Sequence, residues 1–118
     1  MSPELKAAFE AEMQAAQREF RSGALSRAMR HLETAHVLGQ YYVLPHVRSH
    51  WAMLQVALRR RARQDAWGQV LRILLGALGS AAGKVPRGNT GGSNVSMFRP
   101  MPIPAHLEIQ IERDRSSR

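Results

Sequence analysis

Four of the five histidines fall between positions 31 and 50. His46 and His50 stand four residues apart, so on a helix their rings lie one turn apart on one face. Two imidazoles at that spacing can share a metal ion, as helical zinc motifs do. The HExxH pattern is incomplete, because Val47 stands where its glutamate would be. Chain reversal makes a stronger arrangement. A turn at 41–45 folds the helix carrying His46 and His50 back along the helix carrying His36. His36 is then level with His50, and Gln40 with His46. A second turn at Gly23 brings Glu10 to the level of His36, with Glu12 within ~3 Å along the axis. His31 lies a turn or more deeper.

A carboxylate with two or three imidazoles from facing helices is how helical bundles build metal sites. The expected ligands are therefore His36, His46 and His50, with Glu10 or Glu12 as the acid and His31 as a further candidate. Gln40 is placed to orient a ligand ring. This set suits zinc, iron, manganese or copper. With one position open, a bound water or a small-molecule substrate could be activated there. The competing reading is structural. These histidines border the apolar stripes of their helices, where imidazoles serve as amphipathic spacers bonded to a carboxylate or carbonyl.

The elements that must position these side chains are helical. Ser2-Pro3-Glu4 combines a capping hydroxyl, a proline at the first helical position and an acid on the positive end of the dipole. Leu5, Phe9, Met13, Ala16 and Phe20 recur at helical spacing up to Gly23. A second helix is predicted over 24–40 with the stripe Leu25, Ala28, Leu32, Ala35 and Gly39. A third starts at Pro45 and ends near Arg61, turning Val47, Trp51, Leu54 and Leu58 towards the core. A fourth covers 64–80 with Trp67, Val70, Leu71, Leu74 and Leu78 on its apolar side. The expected fold is all-α: four helices in two hairpins, residues 1–82, with a long Gly/Pro-rich loop and tail, residues 83–118, packed on the same domain.

Residues 85–104 hold three glycines, four prolines and only two charges, Arg87 and Arg99. No helical or alternating period runs through them, so they read as a loop ending in an extended Pro-rich strip. Within it GNTGGSN offers backbone amides and the polar side chains of Asn89, Thr90 and Asn94, the makings of a binding loop. It is not a P-loop, since no Lys-Ser or Lys-Thr pair follows. Residues 105–118 read as a short helical start that frays.

Two resemblances sharpen this. GALSRAMRHLETAH (23–36) is similar to half of a tetratricopeptide repeat, with Gly23, Ala28, Leu32 and Ala35 at its glycine, small, bulky and small positions. Such helical hairpins imply an adaptor that binds a protein partner. Across most of residues 4–107, the chain resembles a bacterial domain of unknown function, DUF family 3703. The resemblance is carried by HLETAHVLGQ (31–40), PHVRSHWAML (45–54), VPRGNTGGSNVS (85–96) and PMPIP (100–104). It implies no activity and no functional residue.

Composition excludes other classes. With 118 residues the chain is too short for a two-domain dehydrogenase, a barrel enzyme or a kinase. It has no cysteine, so disulfides, thiolate zinc sites, iron–sulfur clusters and cysteine nucleophiles are ruled out. Its net charge of +8 lies almost wholly in the second half, and Arg59, Arg60, Arg61 and Arg63 close the third helix. Nucleic acid is therefore a third class of partner, without any recognised binding motif behind it. Early carboxylates and the lack of an apolar run argue against a signal peptide or membrane span, so a soluble, cytoplasmic protein is expected. An uncovered apolar end could also be closed by a second copy of the chain, as a homodimer.

Overall fold

A computed structural model describes all 118 residues. It contains five helices and no strand: α1 (Pro3–Arg21), α2 (Leu25–Gly39), α3 (Val43–Arg59), α4 (Arg63–Ala81) and α5 (Ala105–Ser116). The Ser2 hydroxyl accepts the Leu5 amide, which caps α1 as its opening residues predict. None of the helices is long and apolar enough to cross a membrane.

The α1–α2 and α3–α4 turns are built alike. At the first, the amides of Ser22, Gly23 and Ala24 bond to the carbonyls of Arg18, Phe20 and Glu19. At the second, Arg60, Arg61 and Ala62 bond to Val56, Leu58 and Ala57 in the same pattern. Gly23 takes φ +82° there, and Arg61 takes φ +57° in the equivalent place. Glycine accepts that left-handed conformation freely, whereas a side chain with a Cβ is strained in it. The second hairpin therefore forms without the glycine that would have announced it.

Packing follows chain order: α1 lies on α2, α2 on α3 and α3 on α4, while α4 touches neither α1 nor α2 through its backbone. Ala16, Ala28, Leu32, Met53 and Val56 join the first three helices, and small residues at positions 16 and 28 let α1 and α2 approach closely. Leu5, Val37 and Leu38 form a second cluster with Leu107 and Ile111 of α5. The chain thus ends in a fifth helix rather than in the four-helix bundle with a frayed tail expected above. Only two of its apolar positions are buried, too few to show a period, and polar anchoring does the rest. Asp114 is buried and accepts the Tyr42 hydroxyl, the Ser2 amide at 2.5 Å and Arg118 at 2.9 Å. Those donors hold its carboxyl well below the usual range, against the opposing effect of burial.

The largest departure concerns α4. Its apolar stripe faces outward: Trp67 is 75% exposed, and Leu71, Leu74 and Leu78 are exposed beside it. Trp51 and Leu58 of α3, also expected in the core, are exposed too. The inward positions of α4 are Ala66, Gln69, Arg72 and Ser80, with Gly76 against His46. Gln69, Arg72, Gly76 and Ser80 form a stripe about 170° around the helix from the leucines. The helix presents that side because the histidines of α3 and the loop at 85–101 offer it hydrogen-bond partners.

Candidate metal centre

His36, from the last turn of α2, and His46 and His50, from α3, are buried together against α4 and the loop that follows it. One ring nitrogen from each lies within 4.8 Å of the others. The His36 and His50 Nε2 atoms are 3.1 Å apart, on the level pairing that chain reversal predicts. The rings stand nearly edge to face, with centroids 4.6 Å apart for His36 and His50 and 4.7 Å for His36 and His46.

The other nitrogen of each ring determines the chemistry. His36 Nδ1 lies 2.7 Å from the carbonyl oxygen of Asn89, and His50 Nδ1 lies 2.7 Å from Gln69 Oε1. Both oxygens can only accept, so both Nδ1 atoms carry the proton. His46 Nδ1 meets Ser80 Oγ. That hydroxyl donates its own proton to the Gln40 carbonyl at 2.6 Å, so it too accepts from the imidazole. All three rings are therefore Nδ1–H tautomers, and all three Nε2 atoms hold a lone pair. Two of those lone pairs face each other at hydrogen-bond distance with no proton between them.

Burial suppresses protonation that would relieve this. It pulls the pKa of His46 and of His50 down to about 4, in His50 against the partly opposing Gln69 bond. For His36 burial again dominates, the other two rings add to it, and the value falls well below 6.5. The trio stays neutral at physiological pH, which is the form that ligates a metal.

The loop completes the site. Gln40 is fully buried, but its side chain holds the loop rather than a ring: Nε2 donates to the Pro86 carbonyl, and Oε1 accepts the Gly88 amide at 2.8 Å. Asn89 is buried, donates to the carbonyls of Ser96 and Arg99, and accepts the Gly91 amide. Its backbone carbonyl is the group that orients His36. Gln69 Nε2 donates to Gly91 O, so one side chain links α3, α4 and the loop. Thr90 is partly buried, and Asn94 is exposed at the loop's edge.

The carboxylates lie elsewhere. Glu10 forms a bidentate pair with Arg48, at 2.5 and 3.1 Å, and Glu12 sits 2.7 Å from His31 Nδ1. Glu10, Glu12 and His31 are thus absent from the trio, and the acid expected beside the imidazoles is a correction. Counting levels along a helix does not say which side of it a residue faces. Phe9 of α1, rather than Glu10, is the side chain that packs against α2, at Gly39. Gln69, Ser80 and Arg72 were missed. Their signal was a polar stripe at helical spacing in a helix whose only other charges are Arg63 and Asp65 in its first turn.

A cavity of about 80 Å³ adjoins the three rings. Arg72, Leu75, Lys84, Met97 and Phe98 are among the residues around it. No curated protein and no solved structure matches the chain. A family described as "Protein of unknown function (DUF3703)" matches residues 3–111, and the chain belongs to that family.

Proposed function

We propose that this is a metal-binding protein in which His36, His46 and His50 hold one transition-metal ion through their Nε2 atoms. The observation that carries the reading is the outward commitment of all three Nδ1 protons, which turns three lone pairs inward. Ligand nitrogens around a tetrahedral ion are about 3.3 Å apart at normal bond lengths. His36 and His50 meet that spacing, and the third ring closes the set with a small rotation. Asn89 O, Gln69 and Ser80 act as the outer partners that fix each ring's tautomer and direction. An all-imidazole set favours zinc, copper or iron over manganese, and three protein ligands leave a further position for water or a small molecule.

Dialysis of untagged protein against each metal, followed by elemental analysis, tests this. One ion per chain is expected, lost in His36→Ala and His50→Ala and kept in His31→Ala and Glu10→Gln. Failure of the wild type to retain stoichiometric metal, or unchanged retention in His50→Ala, would overturn it.

A second reading, a tetratricopeptide-like adaptor, is favoured by the two matching turns and by a groove of about 610 Å³ between α1 and α3. Met13, Phe20 and Trp51 line that groove, and a bound peptide would quench Trp51. The nucleic-acid reading loses part of its basis. Arg59 is bonded to the Phe20 carbonyl and lies over the Phe20 ring, and Arg60 donates to Ser26.

A further inference from the structure

Arg72 is buried, and no carboxylate pairs with it. Its Nη1 donates to the Gly68 carbonyl at 3.0 Å and its Nη2 to the Val95 carbonyl at 2.9 Å. Its Nε is buried without any acceptor. An unpaired buried donor on a charged group is costly, and native interiors rarely leave one. Arg72 lines the same 80 Å³ cavity as the three imidazoles, together with Lys84, and no acidic residue lines it. With a divalent ion on three neutral rings, the cavity would gather only positive charge.

We infer that the cavity takes a small oxyanion of the carboxylate or bicarbonate class, one oxygen on the metal and another accepting from Arg72. This rests on the metal reading above, because three lone pairs alone would repel an anion. The volume sets the size, since it holds about three water-sized groups, room for formate or bicarbonate and little more. Charge sets the class, since a neutral isostere leaves the positive charge of both cations uncompensated. Leu75, Met97 and Phe98 supply the apolar part of the lining.

Cobalt(II)-loaded protein provides the test, since its visible spectrum changes when the open position is filled. Titration with formate and with bicarbonate should give a saturable change, and formamide should give none. Arg72→Gln should weaken the anion by about 10-fold or more while cobalt stays stoichiometric. Stoichiometric cobalt without any anion response in the wild type, or an equal response to formamide, overturns the inference alone. Absence of stoichiometric cobalt overturns the metal reading and this one with it. The wild-type titration decides the matter even if the Arg72 variant folds poorly.

A different observation carries a second inference. From Ala66 to Gly83 the chain has one charged residue, the inward-facing Arg72. Trp67, Leu71, Leu74 and Leu78 repeat at the four-three-four spacing of a coiled-coil seam, all exposed, with Leu75 beside them. Leu58 shares a groove with Trp67 and extends the patch onto α3. Together these side chains expose roughly 600 Å² of apolar surface, most of the ~800 Å² per partner in a stable interface before any rim is counted. We propose that α4 pairs with α4 of a second copy about a two-fold axis. Arg61 and Arg63 line only the Leu58 end of this patch, and the rest of it along α4 carries no charge, so two copies of a chain of net charge +8 can pack there without like charges opposed along the helix. Sedimentation equilibrium of the wild type should give twice 13.2 kDa. Leu74→Glu should give the monomer mass with unchanged helicity and metal content. A monomeric wild type at tens of micromolar, or a Leu74→Glu variant that stays dimeric, overturns the proposal.

Discussion

Acidification of the metal-free protein probes the buried trio without any assumption about which metal it takes. In the unfolded chain the histidines titrate near 6.5, whereas in the folded protein His46 and His50 resist protonation until about 4. Between those values the unfolded state binds more protons, so acid favours unfolding. The contribution of the neutral rings is complete above 6.5 and is lost as pH falls towards 4. At about pH 5 each of these two rings costs about 2 kcal/mol of stability, so the pair costs about 4 kcal/mol. His36 is depressed by the same burial and adds to the loss. The charged group facing the trio, Arg72, reinforces the trend by disfavouring protonation of His36 and His50. Glu33, whose pKa burial raises, opposes it weakly from the surface of α2. A loss of about 4 kcal/mol is a large share of the ~5–15 kcal/mol that holds a domain folded. Urea midpoints of chelator-treated protein at neutral pH and at about pH 5 measure it, with His50→Gln removing about 2 kcal/mol of the dependence. A change below about 1 kcal/mol in the wild type would refute the picture of three buried, neutral imidazoles.

Ser80→Ala should weaken metal binding by about 10- to 100-fold without abolishing it, because His46 loses the acceptor that fixes its tautomer; competition against a chromogenic chelator reads this directly. Gly91→Ala should be among the most damaging single changes, since Gly91 has φ +79° and a Cβ there would lie 2.6 Å from His36 Cδ2. A cost of about 2–4 kcal/mol with loss of metal is expected, seen in urea midpoint and elemental analysis together. Arg61→Gly should stabilise the protein by up to about 1 kcal/mol, by relieving the left-handed residue at the second turn, and a rise in Tm checks it. Asp114→Ala should release α5, because it removes the acceptor for Ser2, Tyr42 and Arg118. Hydrogen exchange should rise across 105–116 while the trio keeps its metal.

The parts of this molecule that were legible in the sequence are those set by local chemistry and by distance along the chain. Capping at Ser2, the turn at Gly23 and the reversal before Pro45 fix how far along their helices His36 and His50 lie, and their nitrogens meet as that arithmetic requires. Direction around a helix is a different quantity, decided by what else competes for each face. Glu10, matched to His36 by counting alone, misses the trio, because Arg48 offers it a bidentate partner on the exposed side of α1. For α4 the usual inference from apolar spacing inverts. Trp67, Leu71, Leu74 and Leu78 form the clearer stripe, yet Gln69, Arg72 and Ser80 are buried, since loop carbonyls and imidazoles await them there. A monomer that buries its polar stripe and exposes its leucines departs from ordinary core formation. Two physical reasons can sustain it: a polar centre whose assembly favours the inward face, and a partner that covers the outward one. The anion titration and the sedimentation experiment address these two reasons separately, so α4's orientation is explained in full only if both succeed.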